Sequence, residues 1–203
     1  ITSTLASLTN STSQSINFTA NDNGGTIDHF KCKLDGGSYV TCSSPKTYSG
    51  LTQGSHTVAI HAVDTAGNTS ADVSVTWSVD LTPPTLSFSA KPDAITKNLS
   101  SSFSFSGSDT GGGTIARYEC KLDSASYVTC ASPRLDTLFA GPHSLLVKAI
   151  DTAGNESSVI SYSWTIDTSP PTVIISSKPA ALTNSQNASF SFSGSDTGGG
   201  TIA

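Results

Sequence analysis

The chain repeats itself, and the repeat confines it to architectures built by using one unit several times. Cys32 and Cys42 return 88 positions later as Cys120 and Cys130, and Asp64-Thr-Ala-Gly-Asn68 returns 87 positions later as Asp151-Thr-Ala-Gly-Asn155. Trp77 and Pro83-Pro84 return as Trp164 and Pro170-Pro171, and residues 102–116 (SFSFSGSDTGGGTIA) recur unchanged at 189–203. Such a period marks an array of like modules. It divides the sequence into repeat 1 (1–81), repeat 2 (82–168) and a partial repeat 3 (169–203). The first two are long enough to bury a modest core. The partial repeat has too little apolar surface to offset the entropy of ordering it alone. It is therefore expected either to belong to a longer array or to be completed by another chain.

Composition removes several classes of function. Lys and Arg total 10 against 15 Asp and Glu, a net charge of −5, and the basic residues are scattered. No dense positive stripe is present to neutralise phosphates, so nucleic acid is not an expected partner. No apolar run is long enough to span a bilayer, so direct membrane insertion is not expected. The sequence has no methionine and no signal peptide, so the true amino terminus is expected to lie elsewhere. The two cysteine pairs share one spacing that does not match zinc ligation. A disulfide in each repeat, Cys32 with Cys42 and Cys120 with Cys130, is the better reading and places the chain outside a reducing cytosol.

Helical periodicity is absent over any three turns, whereas apolar residues alternate with polar ones many times. Ile16, Phe18 and Ala20 form one such face; Phe30, Cys32 and Leu34 a second; Val58, Ile60 and Ala62 a third; Val73, Val75, Trp77 and Val79 a fourth. Seven strands are predicted in repeat 1, near 4–9, 14–20, 27–34, 38–43, 46–49, 56–63 and 71–79. Glycine-rich turns separate them, including Asp35-Gly-Gly37 between the strands that carry the cysteines. The fold class is all-β: tandem seven-stranded sandwiches of immunoglobulin or fibronectin type III kind. The antibody pattern is excluded, because each disulfide lies within a hairpin and the Trp lies on the final strand. Pro83-Pro84 and Pro170-Pro171 make short, stiff links with little slack.

At Cys32-Lys-Leu-Asp-Gly36, Cys42-Ser-Ser-Pro45, Gly54-Ser-His56, Asp64-Thr-Ala-Gly-Asn68 and Trp77-Ser-Val-Asp80 with Pro83-Pro84, the sequence resembles the bacterial immunoglobulin-like repeats of very large secreted and surface-anchored proteins. The resemblance covers both full repeats and the opening of the third. It implies an extracellular or cell-surface location, and a role in stalks, fibres or adhesin arms, some of which use calcium to stiffen their joints.

The acidic residues suggest one specific site. In a seven-strand sandwich, the linker from the preceding repeat, the loop between the second and third strands and the loop between the sixth and seventh strands gather at one end. Asp80, Asp109 and Asp151, with Asn155 or nearby carbonyls, are therefore expected to converge at the first joint. Asp167 and Asp196 would begin the same arrangement at the second. Calcium takes six to eight oxygen ligands, which such a joint could supply. The competing reading is structural, with each Asp accepting backbone hydrogen bonds within its own turn. No cofactor is expected to be essential, and calcium at the joints between repeats is the one candidate ion.

Other candidates read as structural. His56 and His143 precede a strand beside turn glycines, so packing or a hydrogen bond is expected of them, and His29 is matched by Arg117 in repeat 2. Trp77 and Trp164 alternate with apolar neighbours and are expected in the core; exposure would make them sugar-stacking platforms. No Gly-x-Ser-x-Gly elbow, His-Glu-x-x-His helix or phosphate loop occurs, so the chain is read as non-enzymatic. The expected function is that of a structural stalk or fibre segment of a large extracellular repeat protein. Its partners would be neighbouring immunoglobulin-like repeats in the same or an adjoining chain. The alternative is an adhesin module binding glycan or protein through exposed faces or loops.

Overall fold

A computed structural model describes residues 1–199; the last four residues of the partial repeat, 200–203, lie outside the described residues. Close contacts divide the chain into two compact units. The first comprises Ile1–Leu86, Gly107–Tyr118 and Lys148–Ser158. The second comprises Ser87–Ser106, Glu119–Val147 and the chain from Val159 on.

Repeat 1 forms β1 (Leu8–Thr9), β2 (Ser13–Ile16), β3 (Ile27–Leu34), β4 (Val40–Cys42), β5 (Lys46–Ser49), β6 (Gly54–Asp64) and β7 (Val73–Val79). One sheet runs β1-β7-β6-β3-β4, and β2 pairs with β5 in the other. Alternation decides which face each strand buries. Ile16 from β2 meets Cys32, Val58, Ile60, Trp77 and Val79 from the larger sheet in one core, all 5% exposed or less. Trp77 and Trp164 are 1% and 2% exposed, so both are core residues and neither is a surface platform.

Two strands differ from the sequence expectation. The predicted strand at 4–9 is reduced to Leu8–Thr9, paired parallel to β7 with Leu8 opposite Ser78. The strand predicted at 14–20 ends at Ile16. Phe18 stays buried nonetheless, and its N–H donates to Ser44 Oγ at 2.9 Å instead of to a ladder.

Repeat 2 forms β8 (Thr85–Ala90), β9 (Ile95–Thr96), β10 (Ser100–Ser108), β11 (Ile115–Leu122), β12 (Val128–Cys130), β13 (Arg134–Thr137), β14 (Gly141–Asp151) and β15 (Ile160–Ile166). Its sheets run β12-β11-β14-β15-β9 and β13-β10-β8. Its opening segment is divided between the two sheets, which gives an eighth strand. Pro92 lies in the break, where its missing N–H cannot serve a ladder, and its carbonyl accepts Tyr162 OH at 2.9 Å. Two further strands, β16 (Thr172–Ser177) and β17 (Ser191–Ser195), pair antiparallel in the partial repeat. Phe190 and Phe192 on this segment are 58% and 75% exposed, whereas their counterparts Phe103 and Phe105 are 0% and 3% exposed.

Both disulfides are present, Cys32 to Cys42 and Cys120 to Cys130. The cysteines are not directly opposed: Cys32 pairs with Val40 and Cys42 with Phe30. The bridge therefore runs diagonally, with Cα atoms 5.9 Å apart. In each hairpin the left-handed position is taken by an aspartate, Asp35 at φ 52° and Asp123 at φ 51°. Aspartate tolerates that region better than most side chains.

Candidate functional site

Asp80 follows the last residue of β7, and its backbone N–H donates to Thr9 O at 2.9 Å. Its side chain is fully buried. Oδ1 accepts the Thr82 N–H at 3.0 Å and Gln53 Nε2 at 3.2 Å, and Oδ2 accepts the Gly113 N–H at 3.0 Å. Burial alone would push this carboxyl up, but the N–H groups of Thr82 and Gly113 and the Gln53 amide hold it below its usual range. The glycines around it are required by space: a Cβ at Gly111 would overlap the Asp80 carboxylate.

Asp109 follows β10, and Asp151 is the last residue of β14. Asp151 Oδ1 accepts the N–H groups of Gly154 at 2.7 Å and Asn155 at 2.8 Å, and its Oδ2 accepts Asn155 Nδ2 at 2.8 Å. Gly154, at φ 98°, makes this tight turn possible. Asn155 Nδ2 also donates to the Asp80 carbonyl oxygen at 2.9 Å. Asp109 Oδ1 accepts the Gly111 N–H at 3.1 Å, whereas its buried Oδ2 has no hydrogen-bond partner. All of these residues belong to the first compact unit.

Asp80, Asp109 and Asp151 each place a carboxylate oxygen within 4.8 Å of the others. The turn reading and the convergence reading are thus compatible: Asp151 caps its own turn and also faces the other two. Two unit charges at 4.8 Å repel by about 3 to 4 kcal/mol at an effective dielectric near 20. The N–H donors offset part of that repulsion, but none reaches Asp109 Oδ2. An all-oxygen donor set with an orphaned, buried carboxylate oxygen fits a hard cation such as calcium.

The second group is less complete. A Cβ at Gly198 would overlap the Asp167 carboxylate, as one at Gly111 would overlap Asp80, and Asp196 Oδ1 accepts the Gly198 N–H at 3.2 Å. Among the described residues, no third acidic side chain joins Asp167 and Asp196. Gln53 escaped the sequence reading: Nε2 also reaches Gly111 O at 2.6 Å, and Oε1 accepts the Leu81 N–H at 2.5 Å. Its position in repeat 2 is Ala140, so comparison of the repeats gave no signal.

His56 and His143 act as clamps. His56 Nδ1 lies 3.0 Å from Asp35 Oδ2 and Nε2 2.8 Å from Thr52 O. His143 repeats this with Asp123 at 2.9 Å and Phe139 O at 2.9 Å. Each ring also lies beside the core Trp of its repeat, with centroids 5.9 Å and 5.6 Å apart.

No protein-family model and no curated protein sequence matches the chain. Among solved structures, fibronectin(III)-like modules of Clostridium thermocellum CbhA are similar at 18% identity and a TM-score of 0.47, covering 78% of this chain and 87% of that one. The central fibronectin-III array of RIM-binding protein is similar at 15% identity and a TM-score of 0.28, covering 84% of this chain and 71% of that one.

Proposed function

We propose that the chain is a non-catalytic structural segment, part of a stalk or fibre in a large extracellular repeat protein. The observation that carries this reading is the duplication of internal braces. A hairpin disulfide, a His–Asp clamp over a buried Trp and an Asp–Asn turn each occur twice with matching geometry. Residues that could make a site unique are instead used to hold each module's own strands together. The two disulfides support an oxidising, extracytoplasmic setting. Burial of both Trp side chains leaves neither available as a sugar-stacking platform.

In this reading Asp80, Asp109 and Asp151 hold a calcium ion that fixes the linker against the loops of the following repeat, while Asn155, whose Nδ2 donates to Asp151 Oδ2 and to the Asp80 carbonyl, orients them instead of ligating. Calcium there would offset two of the three negative charges and satisfy Asp109 Oδ2. Asp167 and Asp196 supply the first two ligands of the equivalent site. Force spectroscopy on the chain held at both ends tests the function. The two complete repeats should give separate unfolding events, strengthened by calcium and weakened by chelator. Extension without resolvable resistance in calcium would overturn a mechanical role.

A further inference from the structure

We propose that the end of repeat 1 formed by Asp22, Gly25, Asp64 and Asn68 is a receptor for an aspartate-bearing linker of a like repeat. Its ligand is a segment with the chemistry of Asp80-Leu-Thr-Pro-Pro84. This deepens the structural reading by naming what the module recognises, and it rests on that reading.

The duplicate site shows what such an end holds. In repeat 2, Asn155 Nδ2 divides its hydrogens between Asp151 Oδ2 at 2.8 Å and the Asp80 carbonyl at 2.9 Å. In repeat 1, Asn68 Nδ2 makes the same bond to Asp64 Oδ2 at 2.8 Å. No acceptor among the described residues stands in the place of the Asp80 carbonyl. The Asp64 turn shares the bond from the Asn68 N–H to Oδ1, at 2.8 Å, and differs in that Oδ1 also takes the Ala66 N–H where Asp151 takes that of Gly154. Gly25 lies against Asp22 as Gly113 lies against Asp109: a Cβ would fall 2.5 Å and 2.7 Å from the respective Oδ2 atoms. Gly113 uses its N–H to bind Asp80 Oδ2, so Gly25 is placed to offer the same donor.

Burial follows the same logic. Asp151 is 2% exposed and Asn155 half-buried, whereas Asp64 is only partly buried and Asn68 is exposed. A pocket of about 200 Å³ lies between Asp22, Ile27, Asp64 and Asn68. In repeat 2 the corresponding space lies along the linker, where Thr85 Oγ1 donates to Ser108 O at 3.0 Å. Two differences shape the fit. The loop carrying Asp22 is one residue shorter, and Ala20 stands in the place of Gly107, where a Cβ would lie 2.8 Å from Thr85 O. An incoming linker must therefore sit slightly further out than Thr85 does. Its carboxylate would meet two others, so docking should strengthen with calcium.

The test places a copy of the octapeptide sequence 80–87 directly before Ile1, which brings its aspartate to the position Asp80 holds in repeat 2. Docking should slow hydrogen exchange at the Gly25 N–H and the Asn68 side-chain amide by about tenfold or more. Replacing the added aspartate by alanine should abolish that protection, while signals from Val58 and Ile60 confirm the fold. Unchanged exchange at Gly25 and Asn68, in both calcium and chelator, overturns the receptor. If it is unchanged while the unextended chain still binds calcium, the receptor alone fails. Protection in chelator without calcium binding by the unextended chain leaves the receptor standing and removes the metal.

Discussion

Gln53 Nε2 lies 3.2 Å from Asp80 Oδ1, and the same amide accepts the Leu81 N–H at 2.5 Å through its oxygen. A side chain just before β6 thereby fixes both the carboxylate and the backbone that follows it. Gln53→Ala should destabilise the chain by about 1 kcal/mol, because these bonds form at a partly solvated edge. It should also broaden the range of positions open to Asp80, which a weaker calcium affinity in calorimetry would report. An unchanged affinity would show that the Thr82 and Gly113 N–H groups suffice to position the carboxylate.

Asp109 is the member of the acidic cluster with the fewest internal bonds, and its Oδ2 has none. Asp109→Asn removes one negative charge while leaving an oxygen for the Gly111 N–H. In chelator this variant should be as stable as the parent or more stable, since like-charge repulsion falls. In calcium the parent should gain about 2.7 kcal/mol when free ion is about 100 times its Kd, and the variant should gain little. Thermal midpoints of both proteins with and without calcium check this. A parent whose midpoint ignores calcium after thorough chelation sinks the metal site.

Much of this was legible because alternation carries a strand wherever one face is wet and the other dry. Phe30, Cys32 and Leu34 placed β3, and Val75, Trp77 and Val79 placed β7. The convergence of Asp80, Asp109 and Asp151 followed from loop positions in such a sandwich. What escaped had no periodic signature. Strand β9 is two residues in a parallel edge pairing, too short to alternate, and the division of the opening segment shows only as Pro92. The diagonal disulfide register depends on which residues of β3 and β4 oppose each other, which spacing alone does not fix. Gln53 acts through a single long side chain with no repeated partner.

Each disulfide closes a loop whose cysteines are separated by 10 positions. Reduction without mutation should cost about 2 to 3 kcal/mol per bridge through the freed chain entropy. The double variant Cys32→Ala with Cys42→Ala should cost more, because Cys32 is fully buried and its sulfur also packs the core. Guanidinium midpoints of oxidised, reduced and variant protein separate the two contributions. Equal losses would show that the sulfur's packing counts for nothing.

Trp77 Nε1 and Trp164 Nε1 are buried without hydrogen-bond partners. An orphaned donor costs about 1 to 3 kcal/mol, so part of what each indole contributes by apolar burial is already offset. Trp77→Ala should lose about 3 to 5 kcal/mol. Trp77→Phe should lose far less than its reduced volume suggests, since it removes the orphan with the ring. Chemical denaturation of the two variants gives the comparison, and similar losses would mean that the indole N–H is not a liability.

The His–Asp clamps give stability a pH dependence whose sign follows from both partners. For His56, the Thr52 carbonyl and then Asp35 raise the pKa above its ordinary 6.5, against the pull of burial. For His143, burial lowers the pKa, but Asp123 and the Phe139 carbonyl outweigh it and the net shift is again upward. Burial pushes Asp35 and Asp123 up, yet hydrogen bonds from Thr57 and His56, and from His143 and Ser144, leave both below the ordinary 3.8. A raised histidine pKa stabilises fully below pH 6.5 and loses that contribution as pH rises through the folded-state value. A lowered aspartate pKa stabilises above pH 3.8 and loses that contribution as pH falls through the folded-state value. Both clamps are therefore strongest between those two ordinary values and weaken as pH rises from 6.5 through the raised folded-state values. Asp35 and Asp123 are 44% and 40% exposed, so solvent screening limits each pair to about 1 kcal/mol or less. Urea midpoints across that range should fall for the parent, and fall less for His56→Gln combined with His143→Gln. Equal slopes in parent and double variant would assign the pH dependence to other groups.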